Sequence, residues 1–204
     1  GWIAIFIATL VAAFLLMPLL AVVPVSFTPS RFLAMPEAEW SLRHYRQLIE
    51  NPAWGESVLM GIRIGLVSSF LATVLAVMFA LGIWMLRPRF RALLVGIVLV
   101  PMVVPPVVSA LTLYFLLTGL SQFSELIGYD TWLGVALAHV VMIVPFAVVL
   151  ILVALSQVDR RIDLAARGLG ASLSQRAFRV ILPNIKFGIL TAALSLQYRL
   201  GTIA

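Results

Sequence analysis

Long apolar runs separated by short polar ones dominate this chain, and their lengths match the thickness of a bilayer. A helix crossing the hydrocarbon needs roughly 20 predominantly apolar residues. Trp2–Val25 supplies one such run, Ser57–Leu86 a second, Ala92–Leu120 a third and Thr131–Gln157 a fourth. A fifth begins near Asn184 and runs toward Ala204, meeting Gln197, Tyr198 and Arg199 before it reaches full span length. The stretch Ser26–Glu56 is polar and amphipathic, with Trp40, Tyr45 and Trp54 suited to a membrane interface. The pattern predicts an all-α membrane protein, a polytopic transmembrane helix bundle forming a single domain over residues 1–204.

Composition agrees with that reading and narrows it. Hydrophobic residues make up 63% of the chain and charged residues 11%, with a mean hydropathy of +1.13. Globular chains are typically about 45–50% apolar and about 25% charged, so the charges here could not enclose so large an apolar fraction. The opening run is too long for a signal-peptide core and lacks a small-residue cleavage site, so it is read as a retained span. Cysteine is absent, which excludes disulfides and thiolate metal sites, and no metal site is expected. The net charge of +6 raises the question of nucleic acid. The arginines, however, sit in loops and at span ends, without interleaved aromatics for bases to stack on, so no nucleic-acid partner is expected.

Charge sets the expected orientation. The turn Arg87–Arg91 holds three arginines and no acid, whereas Ser121–Asp130 holds Glu125 and Asp130 and no base. The polar island after the fourth run holds Arg160, Arg161, Arg167, Arg176, Arg179 and Lys186. Positive loops stay in the cytoplasm, which places the first turn and the island inside. The external loop is then 26–56, where Arg31, Arg43 and Arg46 are accompanied by Glu37, Glu39, Glu50 and Glu56. The amino terminus is expected in the cytoplasm.

The island itself, residues 158–183, is more than a connector. Ile162–Leu169 favours a short helix, and Gly168 or Gly170 can take the left-handed conformation that ends it. Ser172 followed by Gln175 matches a capping box that starts a second helix in a new direction. Leu173, Ala177, Phe178 and Ile181 fall at helical spacing on that helix, with Arg176 and Arg179 elsewhere on its surface, and Leu182-Pro183 closes it. Such a helix can lie in a partner's groove or rest on lipid headgroups.

Ala165-Ala166, Gly170-Ala171-Ser172 and Ile181-Leu182-Pro183 resemble the signature loop of permease subunits in bacterial type I ABC importers. That pattern runs Glu-Ala-Ala, three residues, Gly, then twelve residues to the Pro of a Leu-Pro pair. Leu164 stands where the pattern has Glu; Asp163, one residue earlier, could partly replace it but points in another direction on a helix. Ser26-Phe27, the run Pro101-Met102-Val103-Val104-Pro105 and the span His139–Phe146 with Pro145 are similar to the spermidine/putrescine branch. The likeness covers roughly Leu19–Leu196, and the family's final span is read as missing or cut short. The resemblance implies a permease in the bacterial inner membrane carrying a small solute, a polyamine or related amine foremost. A pair of ABC ATPase subunits would grip Asp163, Leu164, Ala165, Ala166, Arg167, Gly168, Gly170, Ala171, Ser172 and Pro183. It further implies a second, different permease subunit and a periplasmic substrate-binding protein. ATP and Mg would belong to the ATPases: this chain carries no cofactor, no phosphate-binding Gly-x-x-x-x-Gly-Lys-[Ser/Thr] loop and no catalytic residues of its own.

Candidate path residues follow from the irregular and polar positions inside the spans. Pro101, Pro105 and Pro106 remove backbone donors from the third run, so it should kink or unwind, either beside the solute path or as a packing kink. Met102, Ser109 and Tyr114 neighbour them, and Ser109, Thr112 and Tyr114 could bond a solute or their own helix. His139 lies inside the fourth run, as a functional group or as a neutral ring bonded to a nearby carbonyl. Arg63 can snorkel to headgroups. Trp84, Tyr114 and Phe146 offer cation–π faces or plain packing.

No carboxylate lies in the middle of any run, so this subunit alone would not bind a polycation through acids. A secondary transporter or channel without an ATPase is the alternative, although neither buried coupling charges nor repeated halves are evident. An intramembrane enzyme is disfavoured, because His44 and His139 are separated by several spans.

Overall fold

The computed structural model describes residues 1–32, 34, 35 and 39–201, the last four by their backbone alone. Glu37 of the external loop and the side chains of Tyr198 and Arg199 lie outside the described residues. The chain divides into two compact units, Gly1–Leu59 and Met60–Ala204.

In the first unit, α1 (Trp2–Val25) is apolar on every side and fully unburied, as a helix solvated by lipid would be. Pro18 and Pro24 lie within it near its far end. A short connection then leads to α2 (Arg43–Glu50). Phe27 stacks against Trp40 and Tyr45 at ring-centroid distances of 5.6 and 5.4 Å, and the Tyr45 hydroxyl meets Ser26 Oγ at 2.7 Å. α2 is strongly amphipathic: Tyr45, Leu48 and Ile49 share one side, Arg43, Arg46 and Glu50 the other. Asn51 Oδ1 accepts from the Ala53 N–H at 3.1 Å, so α3 (Pro52–Leu86) begins five residues earlier than the hydrophobic run suggests.

The second unit is organised around α6 (Trp132–Ser156), whose Thr131 cap accepts from the Gly134 N–H at 3.0 Å. α6 packs on α4 (Arg91–Val103) and on α9 (Leu182–Gly201). The core unites Ala72, Ala76 and Ala80 of α3 with Ile143, Ala147, Val148, Ile151 and Leu155 of α6 and Ile185, Ala192 and Leu196 of α9. Lipid supplies no hydrophobic drive between spans, so small residues that admit close backbones hold them together. The alanines four apart on α3 serve that end, and a Cβ at Gly188 would collide with Ala154 of α6. Ser68 Oγ donates to the Ala136 carbonyl at 3.0 Å, a fully buried bond from α3 to α6.

Two expectations change. The third run is two helices, α4 and α5 (Pro106–Ser121), bent by 100°. Val104 and Pro105 are extended, with ψ of 133° and 136°, because a residue before proline is excluded from the helical region and Val104 and Pro105 both stand there. Pro101, by contrast, sits inside an unbroken α4. The fifth run does not begin at Asn184 after a closed helix: a continuous helix runs Leu173–Gln197 through α8 (Leu173–Gln175), a π-helical segment Arg176–Ile181 and α9. Pro183 lacks the N–H that would bond back to Arg179, and the widened turn just before it absorbs that loss. Among the described residues four helices are long and apolar enough to span, with the bent pair as a fifth or a re-entrant element.

Candidate functional site

The polar island folds as two helical pieces set by local chemistry. Asp159 Oδ1 accepts from the Arg161 N–H at 2.9 Å and starts α7 (Arg160–Gly168). Its end is a Schellman turn: Ala171 N–H bonds to Ala166 O at 3.0 Å and Gly170 N–H to Arg167 O at 3.0 Å. Gly170 has φ +80°, the left-handed conformation that a side chain disfavours, and so it is Gly170 that makes the elbow. Ser172 and Gln175 then close a reciprocal capping box, with N···O distances of 3.3 and 2.9 Å.

Burial reassigns two charged residues. Asp163 does not face outward in place of the family glutamate; it is buried and accepts from Arg176 Nε at 2.8 Å. Arg176, expected on the surface, is buried by the same pair. The elbow folds α7 back against the π-helical segment, which brings these opposite charges together out of water. Leu164 and Leu169 remain outside, 60% and 89% exposed, together with Leu173 and Phe178. Ile181 of the expected apolar face turns inward and is fully buried. The exposed surface therefore alternates apolar side chains with Arg161, Arg167 and Arg179, while Ala165, Gly168 and Ser172 lie open beside them and Ala166 and Ala171 are half-buried. Pro183 is exposed at the start of α9, two turns beyond the capping box.

Arg160 ties α7 to α3. Its guanidinium lies 4.6 Å from the Trp84 ring centroid and Nη1 donates to the Trp84 carbonyl at 3.3 Å. Desolvation lowers the Arg160 pKa, Arg87 and Arg91 push the same way, and Asp163 opposes them. Neither Arg160 nor Arg176 stood out in the sequence, although opposite charges flanking a glycine elbow were the available signal for Arg176.

The candidate path residues separate into two groups. Pro106, Tyr114 and His139 line one cavity of about 450 Å³ between α5 and α6, with Leu117, Tyr129 and Met142. Tyr114 meets Tyr129 edge-on at 5.1 Å. His139 Nδ1–H donates to the Val135 carbonyl at 2.9 Å, a bond within its own helix. Thr112 likewise bonds its own helix, to Val108 O at 2.8 Å. Pro101, Met102, Pro105 and Ser109 are not part of this cavity wall. Arg63 stacks over Trp132 at 3.9 Å, which ties the beginning of α3 to that of α6.

Residues 72–196 match the family model for the binding-protein-dependent transport system inner membrane component. A probable molybdenum ABC transporter permease of Haloferax volcanii is 37% identical over 141 residues, which cover 66% of this chain and 52% of that one. The sulfate transport system permease of Escherichia coli K12 is 32% identical over 195 residues, 90% of this chain and 69% of its own. The putrescine transport system permease of the same strain is 30% identical over 180 residues, 87% of this chain and 63% of its own. This chain thus spans between about half and about seven-tenths of the length of these relatives. The matched region contains the α6–α9 core, the bent pair and the whole elbow, and the polytopic all-α architecture expected from the sequence is the one observed. The chain belongs to the family of binding-protein-dependent transport system inner membrane components.

Proposed function

We propose that this chain is the permease subunit of an ATP-driven importer for a small solute, driven by separate ATPase subunits that grip the elbow. The observation that carries this reading is the Schellman turn at Gly170 joined to the Ser172 capping box. Two opposed helical pieces with exposed leucines among arginines suit a partner's groove better than a plain connector would. Membership of the family supports the same partners: an ATPase pair, a second permease and a binding protein outside. The amino terminus then lies in the cytoplasm, with the arginine-rich turn and the elbow on that side.

The solute is the finer step. Polyamine transport rests on resemblance and on relatives named for putrescine and spermidine. An oxyanion is favoured by a different observation: no carboxylate lies mid-span among the described residues, whereas Arg63, His139 and Lys186 lie within spans. Relatives named for molybdenum and sulfate agree with that balance.

The test is hydrolysis by the assembled complex in lipid, with and without binding protein, for wild type and Gly170→Asp. A side chain at φ +80° costs about 1–2 kcal/mol of local strain, and the added charge sits at the exposed elbow. Loss of stimulated hydrolysis supports the reading. Unchanged hydrolysis and uptake would mean that the elbow is not the element through which hydrolysis is coupled to transport. Uptake of labelled molybdate, sulfate and spermidine by the same vesicles separates the solutes.

A further inference from the structure

We propose that Arg87, Arg89, Arg91 and Arg160 form a binding site for the phosphodiester headgroup of an anionic lipid at the shared end of α3 and α4. Arg87 and Arg89 lie in the four-residue turn between the helices, Arg91 is the first residue of α4, and Arg160 is delivered to them from α7 by its seat on Trp84. Among the described residues the salt bridges are Arg46–Glu50 and Arg176–Asp163, so no described carboxylate lies within 4.0 Å of this cluster. Asp163, on the same helix as Arg160, is engaged by Arg176, and Asp159, which precedes Arg160, caps that helix through the Arg161 N–H. Like charges repel one another, and the guanidinium of Arg160 feels Arg87 and Arg91 in that sense, with Asp163 the weaker opposing influence.

The backbone gives a second, independent sign. Arg87 has φ 48°, a left-handed conformation rare for a residue with a side chain and the only such value outside glycine among the described residues. Glycine would relieve the strain, yet the position carries a guanidinium, and strain of this kind gathers at ligand clamps.

Position and surroundings select lipid over a free anion. α3 is a span that ends at Leu86, so the turn sits at headgroup level whichever way the chain is oriented. Leu86, Phe90 and Leu93 are 64%, 64% and 61% exposed beside the cluster, an apolar border that acyl chains would cover. Arg89 leans over the Phe90 ring at 5.9 Å, so a cation and an apolar face are offered side by side. Basic clusters at span ends bind anionic headgroups in this way.

The site is tested on the full chain in nanodiscs of phosphatidylcholine with and without phosphatidylglycerol, by counting retained lipids in native mass spectrometry. Each arginine near an anionic leaflet contributes a factor of about five. Arg87→Gly with Arg91→Gln should therefore lower phosphatidylglycerol retention by about twenty- to thirtyfold, and high salt should weaken it in the wild type. Arg87→Gly relieves strain, so misfolding does not explain a loss, and helix content by circular dichroism checks this. Arg31→Gln with Arg46→Gln, far along the sequence, should leave retention unchanged. Equal retention in the Arg87/Arg91 variant overturns the site. Displacement by inorganic phosphate at matched concentration overturns the lipid assignment in favour of a free anion. Complete release on adding ATPase subunits overturns it in favour of an acidic protein partner.

Discussion

Asp163 and Arg176, thirteen residues apart, meet at 2.8 Å across the Gly170 elbow and shield one another from water. The pair joins the first turn of α7 to the π-helical segment that leads into α9, so a movement of α7 bears directly on the start of the final span. A buried pair of this kind specifies an arrangement more than it adds stability, because desolvation offsets the attraction. Removing one partner is a different matter. Arg176→Ala strands a buried carboxylate and should destabilise the fold by about 3–5 kcal/mol. Exchanging the charges, Asp163→Arg with Arg176→Asp, should recover a large part of that loss. Thermal unfolding of the purified chain in detergent gives both numbers. Failure of the exchange to rescue would show that packing, rather than charge, holds the elbow shut.

The elbow itself discriminates among side chains by backbone alone, because nothing lies within 4 Å of a Cβ built at Gly170. Gly170→Ala should cost about 1 kcal/mol from its φ of +80°, and Gly170→Asn, which tolerates this region, should cost less. Limited proteolysis of the island ranks the three. If alanine and glycine are cut at equal rates, the left-handed turn is not what keeps the island folded.

Much of this was legible because it is local. The capping box at Ser172, the glycine turn and the interruption at Pro105-Pro106 are each encoded within a few residues and appear where the sequence puts them. The burial of Arg176 was not legible, since its partner is reached only after the chain reverses at Gly170. The start of the last span misled for a related reason. A Leu-Pro pair reads as a helix beginning, and only the π-helical register before Pro183 lets one helix pass through it. The 100° bend between α4 and α5 follows from prolines in kind but not in size, because α4 packs on α6 and that packing is non-local.

Close approach of α6 and α9 rests on Gly188, where a Cβ would collide with Ala154. Gly188→Val should overpack this crossing and cost about 1–3 kcal/mol. Ala154→Gly in the same chain should return part of it, since the two positions share one contact. Melting temperatures of the four chains in the cycle test this. Additive losses would mean that the helices separate instead of clashing.

The double proline between α4 and α5 makes the sharpest prediction about the membrane path. Pro105→Ala with Pro106→Ala restores both N–H groups and frees Val104 for the helical region. The bend should relax toward a straight helix, and spin labels at Ile97 and Leu116 should move apart in double electron–electron resonance. Pro106 lines the 450 Å³ cavity with Tyr114 and His139, so straightening would also pull that wall away from α6. Solute uptake by the assembled complex should fall while basal hydrolysis persists, because the elbow is left intact. An unchanged label distance would mean that packing of α4 on α6 holds the bend without the prolines. Straightening with undiminished uptake would remove the cavity between α5 and α6 from the solute's route.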